Sequence, residues 1–231
     1  MITDFSDREK TCFSFLNLIP KDRKYVIIGG YAVTSYGFPR FSVDLDIVIP
    51  EHEVSFFKKL ISDNGYKFTI GKEDLAYSGK FERYEKDLVS IDLLISGVQS
   101  RQTGYNYPFQ YIFKNSQFRE TSGWNQTNKA KVRIAKKEML IALKIHSMRM
   151  ADKRDIIMLC YEMPDIEDII THLKNSPKKK IIEHINELLV TLNDDKLKDS
   201  LKGVYSIDDK LYKRTIENCK QTITDVKNQL L

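Results

Sequence analysis

Gly29-Gly30-Tyr31-Ala32, followed by Arg40-Phe41-Ser42-Val43-Asp44-Leu45-Asp46-Ile47-Val48-Ile49, is the stretch on which the fold turns. From Val43 to Ile49 the apolar residues Val43, Leu45, Ile47 and Ile49 alternate with Asp44, Asp46 and Val48. Such alternation predicts a strand, and a strand sends Asp44 and Asp46 to one face. Two carboxylates side by side in a dry site repel each other unless a hard cation such as Mg²⁺ lies between them and keeps both ionised.

Upstream, Lys24-Tyr25-Val26-Ile27-Ile28 predicts a short buried strand. Gly29-Gly30 then allows a tight turn into a helix from Tyr31 to about Tyr36. Amides at a strand-to-helix turn attract phosphate oxygens, and the helix N-terminus adds to that attraction. A Gly-Gly pair alone is more often an ordinary turn, but here Asp44 and Asp46 open the next strand.

These residues resemble the DNA polymerase β-like nucleotidyltransferase superfamily, whose pattern is a strand, Gly-Gly or Gly-Ser, a short helix, and a second strand bearing Asp-x-Asp. Gly-Gly-Tyr-Ala, then Gly37, then Arg-x-Ser-x-Asp-x-Asp is most similar to the branch holding the AbiEii-type toxins of toxin–antitoxin systems. The family implies a third carboxylate on a later strand, and Asp92 in Leu88-Val89-Ser90-Ile91-Asp92-Leu93-Leu94-Ile95 fits that place. A lone Asp among aliphatics needs a partner or a metal, so pairing with Arg83 or a nearby lysine is the competing reading. The family also implies a lysine facing the triphosphate on the helix Lys136 to His146, where Lys144 sits; snorkelling to solvent is its ordinary alternative. Lys153-Arg154-Asp155 matches the branch's Arg/Lys-Asp element. On a continuous helix Asp155 would lie about 16 Å from Lys144, too far for contact, and would support a neighbouring group. Met158 stands where relatives carry a second acid, and Ser42 replaces the commoner threonine while keeping a hydroxyl.

The resemblance implies a metal-dependent transfer of a nucleoside monophosphate from an NTP to an acceptor hydroxyl, on the 3' end of a tRNA or on a protein. Two Mg²⁺ ions, or Mn²⁺ in their place, would be held by Asp44, Asp46 and Asp92, with Gly29, Gly30, Arg40, Ser42 and Lys144 around the nucleotide. The toxin branch further implies an antitoxin protein as partner. Two other classes stay open: a small-molecule enzyme like the aminoglycoside nucleotidyltransferases, and a non-catalytic nucleotide-binding module.

At 231 residues and 42% apolar composition the chain can bury one sizeable core or two small ones. The expected class is α/β (α+β): a small mixed sheet flanked by helices over residues 1–135, then a helical C-terminal domain over 136–231. No segment has the apolar length to cross a bilayer, the first residues lack a signal-peptide layout, and three scattered cysteines suit a reducing compartment, so a cytoplasmic protein with no membrane partner is expected. The net charge of +5 is modest, yet residues 101–154 hold twelve basic side chains against three acids, a field suited to a triphosphate or a polyanionic acceptor. Aromatics interleaved there are candidates to stack on bases, with Trp124 and Tyr105 expected at the surface. Phe109, Tyr111 and Phe113 alternate as a half-buried strand would, and the polar run Ser116 to Lys129 reads as a mobile loop. Helices are expected over Asp165–Lys174, Pro177–Leu192 and Ile207–Leu230, the last capped by Ser206 with Asp209.

Overall fold

The computed structural model describes residues 5–42, 44–73, 80–124 and 126–231, without the side chains of residues 72 and 73; the expectation for Val43 lies outside them. The chain divides into two compact units, one made of residues up to Gln99 together with Asn106–Lys136, the other of Ser100–Tyr105 together with Lys137–Leu231.

In the first unit α1 (Phe5–Leu16) leads to β1 (Val26–Ile28), α2 (Gly29–Thr34), β2 (Asp44–Ile49) and α3 (Val54–Asp63). There follow β3 (Lys67–Glu73), β4 (Lys80–Lys86), β5 (Val89–Ile95), β6 (Gly97–Gln99), β7 (Asn106–Pro108), α4 (Phe109–Lys114), β8 (Ser116–Ser122) and β9 (Lys129–Ala135). The described strands build a seven-stranded sheet in the order β3-β4-β5-β2-β1-β9-β8, with β6 and β7 as a separate pair. It is mixed: β2 runs parallel to β5 and β1 parallel to β9, while the other neighbours are antiparallel.

The alternation of β2 fixes its register against β5. Leu45, Ile47 and Ile49 are Cα partners of Ile91, Leu93 and Ile95, and all six side chains are buried on one face. Each such burial is worth about 1.5–3 kcal/mol, and a one-residue slip would exchange this row for Asp44, Asp46 and Asp92. The acidic residues therefore end up together on the opposite face.

Two local readings are corrected. Phe109 to Phe113 is the helix α4, not a strand; Pro108 is its N-cap and Phe109 meets Phe113 at 5.4 Å between ring centroids. Over five residues a period of two and a spacing of four coincide, and the proline decides for the helix. Likewise Ser116 to Ser122 is no loop but strand β8, paired along its length with β9. Its polar composition serves an edge position: Thr121 Oγ1 donates to the Tyr31 carbonyl at 2.8 Å and shares a hydrogen bond with Thr34 Oγ1 at 2.8 Å.

The second unit is helical: α5 (Lys137–Ser147), α6 (Met150–Leu159), α7 (Ile166–Leu173), α8 (Lys178–Thr191), α9 (Leu197–Lys202) and α10 (Asp209–Leu230). α10 is capped by Asp208, whose carboxylate accepts from the Leu211 amide at 2.7 Å, rather than by Ser206. Nor is the helix continuous from Lys144 to Asp155. Met148, at φ 45, takes the left-handed conformation that ends α5, and Asp152 accepts from the Arg149 amide at 3.1 Å to open α6.

The segment Ser100–Tyr105 is tied to α5 through His146. Thr103 Oγ1 lies 2.6 Å from its Nδ1, Ser176 Oγ lies 3.0 Å from its Nε2, and the Tyr105 ring stacks on it at 5.0 Å. Burial, with the charge of His184 adding to it, pushes the His146 pKa down from 6.5 to about 4. The unfolded chain thus binds a proton below 6.5 that the folded chain refuses until about 4, so stability falls as pH drops through that window. The expected loss is on the order of 3 kcal/mol. Urea unfolding at several pH values checks it, and His146→Gln should flatten the dependence; an unchanged slope in that variant would assign the effect to other groups.

No helix of the described residues is long and apolar enough to cross a membrane. Among the described residues Cys12, Cys160 and Cys219 are buried thiols outside any disulfide. Burial pushes the Cys12 thiol up to about 12, which keeps it unreactive.

Candidate active site

Buried β1 ends at Ile28, and Gly29, with φ +68, turns the chain straight into α2. Ile28 is the N-cap and offers no capping side chain. Instead Asp46 from neighbouring β2 reaches over the turn: a Cβ on Gly29 would stand 1.9 Å from Asp46 Oδ2. A carboxylate at the start of a helix is favourably placed, because the amide ends there carry partial positive charge. Gly30 is crowded in the same way, its absent Cβ lying 2.5 Å from Ser42 Oγ and 2.9 Å from an Arg40 guanidinium nitrogen. The segment between α2 and β2 is held down by Tyr31, whose hydroxyl donates to the Ser42 carbonyl, and by Ser42 Oγ, which donates to the Asp44 carbonyl at 3.4 Å. Gly29, Gly30, Arg40, Ser42 and Asp46 are thus brought together.

Parallel pairing of β2 with β5 brings the remaining acids in. Asp46 is the Cα partner of Asp92, and Asp44 that of Ser90, so all four side chains stand on one face. The Ser90 hydroxyl donates to Asp44 Oδ1. Ser90 belongs to no motif, and only its parity with Asp92 signals in the sequence that it shares this face. Asp92, only 6% exposed, is gripped by Arg83 from β4: Nε donates to Oδ1 and Nη2 to Oδ2, each at 2.7 Å. This is the bidentate fork that makes Arg–carboxylate pairs strong, and its hydrogen bonds raise the Arg83 pKa further. Asp92 thus lies beside Asp46 and carries the Arg83 pairing that its competing reading named.

Three carboxylates and a hydroxyl on one face are the hard oxygen donors that Mg²⁺ or Mn²⁺ takes. Asp44 and Asp46 carry donors of that kind, whereas both oxygens of Asp92 are held by Arg83. Among the described residues no three His, Cys, Asp or Glu side chains converge closely enough to hold a metal ion.

Lys144 and Asp155 belong to the helical unit. Because the chain reverses between α5 and α6, they touch: Lys144 Nζ lies 2.6 Å from Asp155 Oδ2 and 3.3 Å from Asp152 Oδ1. The expectation of two residues too far apart to meet is corrected. Lys144 is 7% exposed, with its charge already answered by two buried carboxylates, and Asp155 also accepts from the Tyr205 hydroxyl. Burial works against ionising Asp152, but Lys144 and Arg149 outweigh it and hold that carboxyl below its usual range. Snorkelling and phosphate binding both give way to an internal ion cluster. Asp152 has no signal in the sequence, since only the break after Ser147 turns it toward Lys144.

Gly30→Ala is a direct probe of the turn. The new methyl meets the mobile ends of Ser42 and Arg40, so the fold should lose no more than about 1–3 kcal/mol. If, as expected from the sequence, the turn cradles a phosphate, filling it should weaken NTP binding about tenfold, read by titration beside a thermal melt; unchanged affinity would remove the glycine turn from the site.

No protein-family model matches the chain, and no curated protein matches it either. Among solved structures it is matched with the STING-associated CdnE c-di-GMP synthase from Capnocytophaga granulosa, at 10% sequence identity over 98% of this chain and 81% of that one, with a TM-score of 0.25. So distant a superposition establishes neither fold nor activity.

Proposed function

We propose that the chain is a nucleotidyltransferase that moves a nucleoside monophosphate from an NTP to an acceptor hydroxyl. The observation that carries this reading is the register of β2 on β5, which sets Asp44, Asp46 and Asp92 on one face beside the Gly29-Gly30 turn. A divalent cation, when bound by Asp44 and Asp46, supplies charge neutralisation of the triphosphate and acidity to the acceptor hydroxyl. The chain's own residues do the rest. The glycine turn lets phosphate oxygens approach the backbone, Arg40 brings a cation to the same point, and the Ser42 hydroxyl offers a hydrogen bond. Asp92 becomes a third acid when Arg83 swings away, toward solvent or toward the triphosphate.

The acceptor on this reading is polyanionic, as the sheet unit's segment 106–136, with six basic side chains against one acid, favours. The 3' end of a tRNA suits that charge better than a cationic sugar, and a toxin acting on tRNA and restrained by an antitoxin is the biological form the resemblance implies. The Arg83–Asp92 fork favours a second reading, a non-catalytic nucleotide-binding module, because it leaves one of three acids engaged. Incubation with each α-labelled NTP and total tRNA, with and without Mg²⁺, separates the two. Label on tRNA or protein supports the enzyme, while saturable NTP binding with no labelled species supports the module.

A further inference from the structure

Phe5 from α1, Phe41 from the segment before β2, and Trp124 from the β8–β9 turn form a surface stack beside this site. Phe41 and Trp124 lie parallel, 5.0 Å apart with 21° between their planes, and Phe5 meets Phe41 at 5.3 Å. All three remain open to solvent, at 57%, 40% and 36% for Phe5, Phe41 and Trp124 respectively. Three large rings left exposed together lose a sizeable share of their burial energy, and the rest of the sheet unit offers them no core.

The stack is anchored rather than loose. Glu9, buried at 1% exposure, accepts from the Trp124 amide at 2.5 Å and from Asn128 Nδ2 at 3.3 Å. Gly123 lets the turn approach this closely, since a Cβ there would stand 2.0 Å from Glu9 Oε1. Arg8 lies 5.3 Å over the Phe5 ring, adding a cation to the edge of the stack. Arg40 links the stack to the turn: one guanidinium nitrogen donates to the Phe41 carbonyl at 3.0 Å and the other stands 2.9 Å from the Cβ position of Gly30, so the Phe41 backbone lies close to the point where phosphate would lie.

We propose that Trp124, Phe41 and Phe5 form a platform on which a nucleobase stacks, extending the row by one ring, with its phosphate directed to Arg40 and Gly30. The occupant is argued from continuity. An exposed parallel aromatic pair with a guanidinium at its edge suits a flat, polarisable ring attached to an anion, and every base has such a face. The base belongs to the donor nucleotide or to the acceptor strand, and the placement of its phosphate rests on the transfer reading above.

Trp124 is the only tryptophan in the chain, so its emission reports on the platform directly. ATP, a single-stranded oligoadenylate and inorganic tripolyphosphate are titrated into the full-length protein. Saturable quenching by ATP assigns the platform to the donor base, and quenching by the oligonucleotide alone assigns it to the acceptor strand; tripolyphosphate should leave the emission unchanged. Phe41→Ala should shift half-quenching about tenfold to higher ligand concentration, with Phe41→Tyr restoring it. Equal quenching by tripolyphosphate, no quenching by either base-bearing probe, or an unmoved half-point in Phe41→Ala overturns the platform. Quenching is read without turnover, so a platform that binds bases in a protein that transfers nothing would sink the enzyme reading alone. Transfer without quenching would sink the platform alone.

Discussion

Asp46→Ala should abolish transfer of label from any NTP, a loss of at least about 10³-fold, on the order of 4 kcal/mol of transition-state stabilisation. Asp46 has the central position: it pairs in register with Asp92, lies two residues from Asp44 on the same face, and rests against Gly29. Removing it takes away the carboxylate that meets both the glycine turn and the other acids. Stability should change little. The charge of Asp92 across the strand, itself answered by Arg83, disfavours Asp46 while the amide ends at the start of α2 favour it, so without metal the variant's stability should stay within about 1 kcal/mol of wild type. The pairing of a dead enzyme with an undamaged fold is the signature of a residue kept for chemistry. Full labelling by Asp46→Ala would end the nucleotidyltransferase reading, and a large drop in melting temperature would make Asp46 structural.

Lys144→Met should act in the opposite sense. Asp152 and Asp155 are both 2% exposed, and removing the ammonium they share leaves two buried charges short of a partner. Breaking a buried pair from one side costs about 3–5 kcal/mol, enough to unfold a marginal helical unit. Arg149 retains part of Asp152, and the Tyr205 hydroxyl part of Asp155, so the loss should fall at the lower end of that range. Because protonation removes the unpaired charge, the deficit relative to wild type should shrink as pH falls toward the carboxylate range. Changing all three together, Lys144→Met with Asp152→Leu and Asp155→Leu, should recover most of the stability, since an apolar trio of similar volume has no charges to desolvate. A Lys144→Met protein that melts normally but binds NTP weakly would restore the lysine to the triphosphate.

The difference between these residues shows which signals are local. Asp44 and Asp46 are two apart in one alternating run, so their common face is readable from the chain alone, whereas Asp92 is singled out by the resemblance and only the pairing of β5 with β2 puts it on that face. Arg83 is legible only as a competing partner of Asp92, because no sequence pattern says which residue of a neighbouring strand will stand opposite. Lys144 and Asp155 mislead through a single residue: Met148 adopts a positive φ, which methionine seldom does and its identity does not announce. Edge strand β8 is hidden by a polar composition that matches a loop, because its hydroxyls bond to the Tyr31 carbonyl and to Thr34 instead of packing in a core.

By itself the sequence determined the features that period and backbone permission dictate: the strands before and after the glycine pair, the turn at Gly29-Gly30, and the common face of Asp44 and Asp46. Only the tertiary structure decided which cation each aspartate meets, that Lys144 closes an internal cluster, and that Phe5, Phe41 and Trp124 gather at the surface. Periodicity is carried by neighbours in the chain, whereas an ion pair or a ring stack is chosen by whatever distant segment packing brings within a few ångströms.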